Sequence, residues 1–160
     1  MRIKFILIIS IYSLLNTSCI TKEENPIEES YFDIIISGNP WEFQGTNFIN
    51  VQSSNDTLTE SDIEDIKNDV ILAYDEAYEG TSFIFNNDST CLINWPNWGI
   101  ENLEREWTIN DKGRIRWCLR SDCYFLQLYT TESEPELRWE LRGYKYKDPT
   151  ITYDLDLIFR

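Results

Sequence analysis

The sequence predicts an all-β domain with one added helix, an eight-stranded antiparallel up-and-down barrel. Three observations carry that expectation. From Thr81 onward, short alternating apolar and polar runs recur about every ten residues between turn signals, the mark of a sandwich or barrel. The runs follow one another directly, and with a strand opened by Trp41 they number about eight, which suits closure in sequence order. One stretch alone, about residues 61–78, instead places its apolar residues at helical spacing.

Taken in order, Tyr31-Phe32 and Ile34-Ile35-Ile36 lead to Ser37-Gly38-Asn39-Pro40, a turn signal. Trp41 opens an apolar alternation through Phe43 toward Phe48 and Ile49, and polar residues 52–59 read as a loop. In the helix, Ile63, Ile66, Val70, Ala73, Tyr74 and Ala77 share one face. Two capping boxes compete for its start, Ser61 with Glu64 and Thr59 with Asp62, and Gly80 suits its exit. Asp62, Asp65, Asp69 and Glu76 line the opposite face. Acids on one side of a helix do not wrap a cation by themselves, so they read as a solvated surface.

Residues 81–85 and 90–95 form the next predicted strands, joined through Asn86-Asn87-Asp88. Residues 104–109 and 114–119 flank Asn110-Asp111-Lys112-Gly113, a strong turn, with Ile115, Trp117 and Leu119 on one face. Residues 123–129 follow, then a polar loop over 130–136. Leu137, Trp139 and Leu141 alternate with Arg138, Glu140 and Arg142. After Lys147-Asp148-Pro149, a final strand turns Ile151, Tyr153, Leu155, Leu157 and Phe159 inward, opposite Thr152, Asp154, Asp156 and Arg160.

Histidine is absent, which removes Ser-His-Asp and Cys-His catalysis and every imidazole-dependent zinc site. No glycine-rich phosphate loop occurs, and no carboxylate pair stands out among 28 acids. The chain therefore reads as a non-enzyme with no cofactor and no metal. Its net charge of −14 argues against nucleic acid and against electrostatic docking to anionic lipid.

The N-terminus predicts export. Met1-Arg2-Ile3-Lys4 precedes a short apolar run, and Asn16-Thr17-Ser18 brings small and polar residues to Cys19, as in a secretory signal peptide. The run is too short to span a bilayer, which takes about 20 residues. A cysteine at the expected cut resembles the lipobox of bacterial lipoproteins, in which that cysteine is lipidated, although Asn16 stands where the pattern has leucine. Lys22-Glu23-Glu24 resembles the signal that sends Bacteroidetes lipoproteins to the cell surface. The resemblance implies a signal peptide over 1–18, lipidated Cys19 with a flexible acidic tether over 19–36, a membrane anchor and an outer-membrane, cell-surface location. The barrel is expected over 37–160. Removing 1–18 takes away Arg2 and Lys4 but no acid, leaving 12 basic against 28 acidic side chains.

In an oxidising compartment Cys91, Cys118 and Cys123 can form one intramolecular bridge. If Arg120-Ser121 is a two-residue turn, Cys118 faces Cys123 across a hairpin, the favoured pairing. Three reduced cysteines, or a bridge from Cys91, remain the alternatives.

Gly38-Asn39-Pro40-Trp41, the hairpin TSFIFNNDST, REWTINDKGRIRW and the closing ITYDLDLIFR resemble the lipocalin-like domains of Bacteroidetes lipoproteins, with Ser89 in place of a hairpin glycine. The resemblance implies a fold and transfers no catalytic residue. A barrel of this size could enclose one small ligand, with Trp117, Trp139, Tyr153 and Phe85 as candidate lining. Trp95 and Trp98, around Pro96, are candidates for an exposed platform meeting a glycan or protein partner, or for a plug over one barrel end. The expected function is binding of a small ligand or glycan. The alternative is a protein-interaction module (an inhibitor, immunity factor or uptake accessory) with a solid core. Asp56-Thr57-Leu58 and Asp88-Ser89-Thr90 also resemble Bacteroidetes O-glycosylation tripeptides, at Thr57 and Ser89.

Overall fold

The computed structural model describes residues 30–55, 57–130 and 134–160. Signal segment 1–18, Cys19 and Lys22-Glu23-Glu24 lie outside the described residues, as does Asp56.

The described chain begins with a helix where the tether was expected to end. Helix α1, Tyr31–Ser37, is capped by Ser30, whose hydroxyl oxygen accepts from the Asp33 backbone N–H at 3.2 Å. Ile35 is fully buried, and the Phe32 ring stacks on Trp107 at 5.4 Å. Residues 31–36 thus belong to the folded unit, and the described residues hold two α-helices where one was expected. A seven-residue helix is unstable alone and exists through such packing. Its short apolar run gives too few turns for periodicity to register.

The eight strands are β1 (Trp41–Ser53), β2 (Ser82–Phe85), β3 (Thr90–Trp95), β4 (Ile100–Ile109), β5 (Arg114–Leu119), β6 (Asp122–Thr130), β7 (Pro135–Lys145) and β8 (Ile151–Phe159). They close in sequence order, each antiparallel to its neighbours, as the alternation predicts. Closure relies on β1. It meets β2 only at Trp41 and Glu42, then runs against β8 from Phe43 to Ser53 with register shifts beside Gly45 and Asn50. Glu42 and Arg160 exchange both backbone hydrogen bonds, at 2.8 and 3.0 Å. Residues 52–53, Thr130 and 135–136, all expected in loops, extend β1, β6 and β7, and β4 starts four residues early.

The turns follow their side chains. Asp88 accepts from the Thr90 backbone and hydroxyl, Asn110 from the Lys112 and Arg114 backbones, and Asp148 from the Thr150 backbone and hydroxyl. Ser89 adopts φ 66°, a conformation that favours glycine.

Helix α2, Glu60–Tyr78, starts at the Thr59–Asp62 capping box rather than its rival. It buries Ile66, Val70 and Tyr78, while Ile63 and Ala73 of the predicted stripe are exposed. The two helices sit at opposite ends of the barrel. α1 meets Phe85 and Trp107 through Asn39 and Phe32, and α2 inserts Tyr74 and Tyr78 against Tyr153, Trp95 and Trp139.

Candidate functional site

The predicted lining residues are packed ring against ring along the barrel axis. Trp117, 1% exposed, stacks on Tyr124 at 4.6 Å and stands 6.3 Å from Trp139. Trp139 meets Tyr78 edge-on at 5.7 Å, and Tyr74 and Tyr153 exchange a hydroxyl contact at 3.2 Å. Burial, helped by that contact, pushes the Tyr74 phenol well above its usual pKa, so it stays neutral. Phe85 sits at the α1 end, edge-on to Trp107 at 4.9 Å. Phe83 joins it to the rest, 6.1 Å from Phe85 and 6.0 Å from Trp117, so the four predicted residues share one aromatic core.

Openings occur in the barrel wall, on both sides of the β5–β6 hairpin. β4 pairs with β5 only over Trp107–Ile109, and β6 with β7 only over residues 127–130. Beyond those ladders residues 118–126 pair only within the β5–β6 hairpin, Cys118 and Leu119 with Cys123 and Asp122, and Tyr124 to Leu126 with Trp117 to Ile115. Its turn has Arg120 at φ 57°, Leu119 faces Asp122, and Cys118 is bonded to Cys123, as the hairpin argument favours. The staple thus holds a tip that neither neighbouring strand supports.

Between β6 and β7 the gap forms a cleft of about 410 Å³, lined by Tyr124, Phe125, Gln127, Trp139, Arg142 and Tyr144 among others. Phe125 and Tyr144 are exposed at 39% and 46%. A second gap, between β4 and β5, measures about 300 Å³ and is bordered by Arg105, Trp107, Arg116 and Trp117. The indole N–H groups of Trp107 and Trp117 are buried without a hydrogen-bond acceptor, so both are unspent donors. The β4–β5 opening reaches Trp107, which α1 touches, and the β6–β7 cleft runs along the hairpin from Arg114 and Gln127 to Cys123 and Tyr144. Of the predicted residues, Trp139 and Trp117 border them. Tyr124, Phe125 and Tyr144 are the additions that sequence reading missed, because where a ladder stops is set by strand bending.

The two loop tryptophans differ in exposure. Trp95 continues the inward alternation of Cys91 and Ile93, is 7% exposed, and donates its indole N–H to the Ala77 carbonyl at 3.3 Å. It plugs the barrel end. Trp98, in the 3-10 turn Pro96–Trp98, is 63% exposed and lies on Trp95 at 4.9 Å.

One polar cluster was not foreseen. Glu136 and Asp156, on the outer face of β7 and β8, are 5% and 2% exposed beneath Arg138, Arg142 and Arg160. Burial opposes ionisation of Glu136, yet the Arg138 and Arg160 guanidinium groups outweigh it and hold the carboxyl below its usual range. Cys91 is a free, fully buried thiol whose pKa burial pushes up to about 12. Thr57 and Ser89, the glycosylation candidates, are both exposed.

Among the described residues no group of three or more His, Cys, Asp or Glu side chains could hold a metal ion. No described helix is long and apolar enough to cross a membrane. Comparison with protein-family models, curated proteins and solved structures finds no match to this chain.

Proposed function

We propose that this protein is a cell-envelope lipoprotein, anchored through Cys19 and exported by Lys22-Glu23-Glu24, that binds a small ligand of the glycan type without catalysis. The observation that carries the binding assignment is the β6–β7 cleft of about 410 Å³. Its volume suits one or two sugar rings, since small-molecule sites run from about 300 Å³ upward. Tyr124, Phe125, Trp139 and Tyr144 offer ring faces and edges, while Gln127, Glu140 and Arg142 on the same rim carry hydrogen-bonding groups for hydroxyls. The site proposed is lateral. The barrel axis is occupied by its own rings.

Native mass spectrometry of the protein taken gently from its envelope tests the reading. The expected result is a retained adduct, released on unfolding and lost in Phe125→Ala and Tyr144→Ala, whose side chains border the cleft outside the core. A bare protein mass together with no response to a panel of glycans would overturn it.

A further inference from the structure

Trp98 stands out because it is both exposed and fixed. Its ring rests on Trp95 at 4.9 Å, and Trp95 in turn rests on Tyr78 at 4.9 Å. Asn97 donates its amide to the Glu76 carbonyl at 2.6 Å, and Gly99, at φ 65°, closes the turn onto Pro96 at 2.9 Å. A large apolar ring pinned in water from beneath has lost its freedom before anything binds, which lowers the cost of binding.

The segments joined to that turn, the C-terminal end of α2 and the start of β4, carry exposed acids. Asn97 ties the turn to the last turns of α2, where Glu76 and Glu79 are exposed and no basic residue offsets them. Glu101, exposed, follows two residues after Gly99. None of these three carboxylates joins an ion pair among the described residues, although Glu64, Asp69, Glu136, Glu140 and Asp156 all do. Acids at a helix C-terminus work against the helix dipole, so Glu76 and Glu79 weaken α2 where they stand. Pairing with an external cation would remove that cost.

We propose that the Trp98 face is a docking surface for a basic segment of a partner protein, with an arginine guanidinium lying flat on the indole and Glu76, Glu79 and Glu101 flanking it. Charge complementarity selects the occupant, because a planar cation gains from an aromatic face and is weakly hydrated. Acidic and neutral segments would gain nothing from the three carboxylates. The net charge of −14 extends the same attraction beyond contact and would steer a basic partner inward. This surface is separate from the β6–β7 cleft, so either assignment can fail without the other.

The test uses the full-length protein and a short Arg-Gly repeat peptide, followed by calorimetry and tryptophan fluorescence. Saturable binding is expected that weakens about tenfold in Trp98→Ala, weakens several-fold in the Glu76→Gln/Glu79→Gln pair, and falls with added salt. A Lys-Gly peptide is expected to bind more weakly than its arginine counterpart. Trp98→Ala removes an exposed ring, and unchanged far-UV dichroism would confirm that it still folds. The Glu76→Gln/Glu79→Gln pair serves as a second, conservative variant. Absence of binding, binding indifferent to Trp98→Ala, or preferential binding of a neutral oligosaccharide at Trp98 would each overturn the proposal. Retention of the cleft adduct in Trp98→Ala would keep the two surfaces distinct.

Discussion

Tyr124 and Trp139 meet edge to face at 5.2 Å although their strands share no ladder at that height. Across the β6–β7 cleft, side chains hold what backbone pairing does not.

Truncating that contact therefore tests how the cleft is held. Tyr124→Ala also removes the stack on Trp117, and a loss of about 2–4 kcal/mol is expected in urea unfolding. Phe125→Ala, next in sequence but 39% exposed, should change stability by about 0.5 kcal/mol or less. Equal losses in the two variants would mean that Tyr124 does not bridge the gap.

The disulfide makes a separate prediction. Cys118 and Cys123 are five residues apart, and closing so short a loop contributes about 2 kcal/mol in the chain-entropy account. Its larger effect should be local, because the hairpin tip lacks neighbours on either side. Hydrogen exchange on the reduced protein should show protection lost chiefly over residues 118–126. Uniform loss across the barrel would contradict that picture.

Acid should act through Glu136. Its carboxyl is held below the ordinary value of 4.5 by Arg138 and Arg160, against the burial that would raise it. The unfolded chain then takes up the proton more readily than the folded one. The contribution is complete above about pH 4.5 and is lost as pH falls through the lower folded value. Glu136→Gln should be less stable than wild type at about pH 6, with the gap closing toward about pH 3, read from urea midpoints at each pH. A gap that stays constant with pH would rule this out.

Gly38 predicts a steric penalty. A Cβ placed there would come within 2.7 Å of Trp41 Cε2, and Trp41 is 1% exposed with its indole N–H bonded to the Ile35 carbonyl at 2.8 Å. Gly38→Ala should cost about 1–3 kcal/mol by displacing that ring, measurable as a lowered thermal midpoint. Tolerance of alanine would show that the Trp41 pocket can relax.

Much of the fold was legible because its signals are local. Asn110 to Gly113 and Asp148 to Thr150 carry their turn chemistry in adjacent residues, and the alternation of Leu137, Trp139 and Leu141 fixes a face. The inward place of Trp95 was also available, as the third beat after Cys91 and Ile93. What stayed hidden depends on distant partners. α1 exists because Trp107 and Trp41 receive it. Asp156 looks like any outward acid until the register sets Arg138 and Arg142 around it. The clefts exist because two ladders stop early, which no spacing within one strand encodes.

The barrel has a polarity that follows from α1. Ser30 enters at one end, while the hairpin tip and Trp98 belong to the other. The eleven residues 19–29 reach at most about 40 Å if drawn out. A chain fastened through them would hold the α1 end toward the attachment and the α2 end outward. Molecules arriving from the medium would then meet Trp98 and the hairpin tip first.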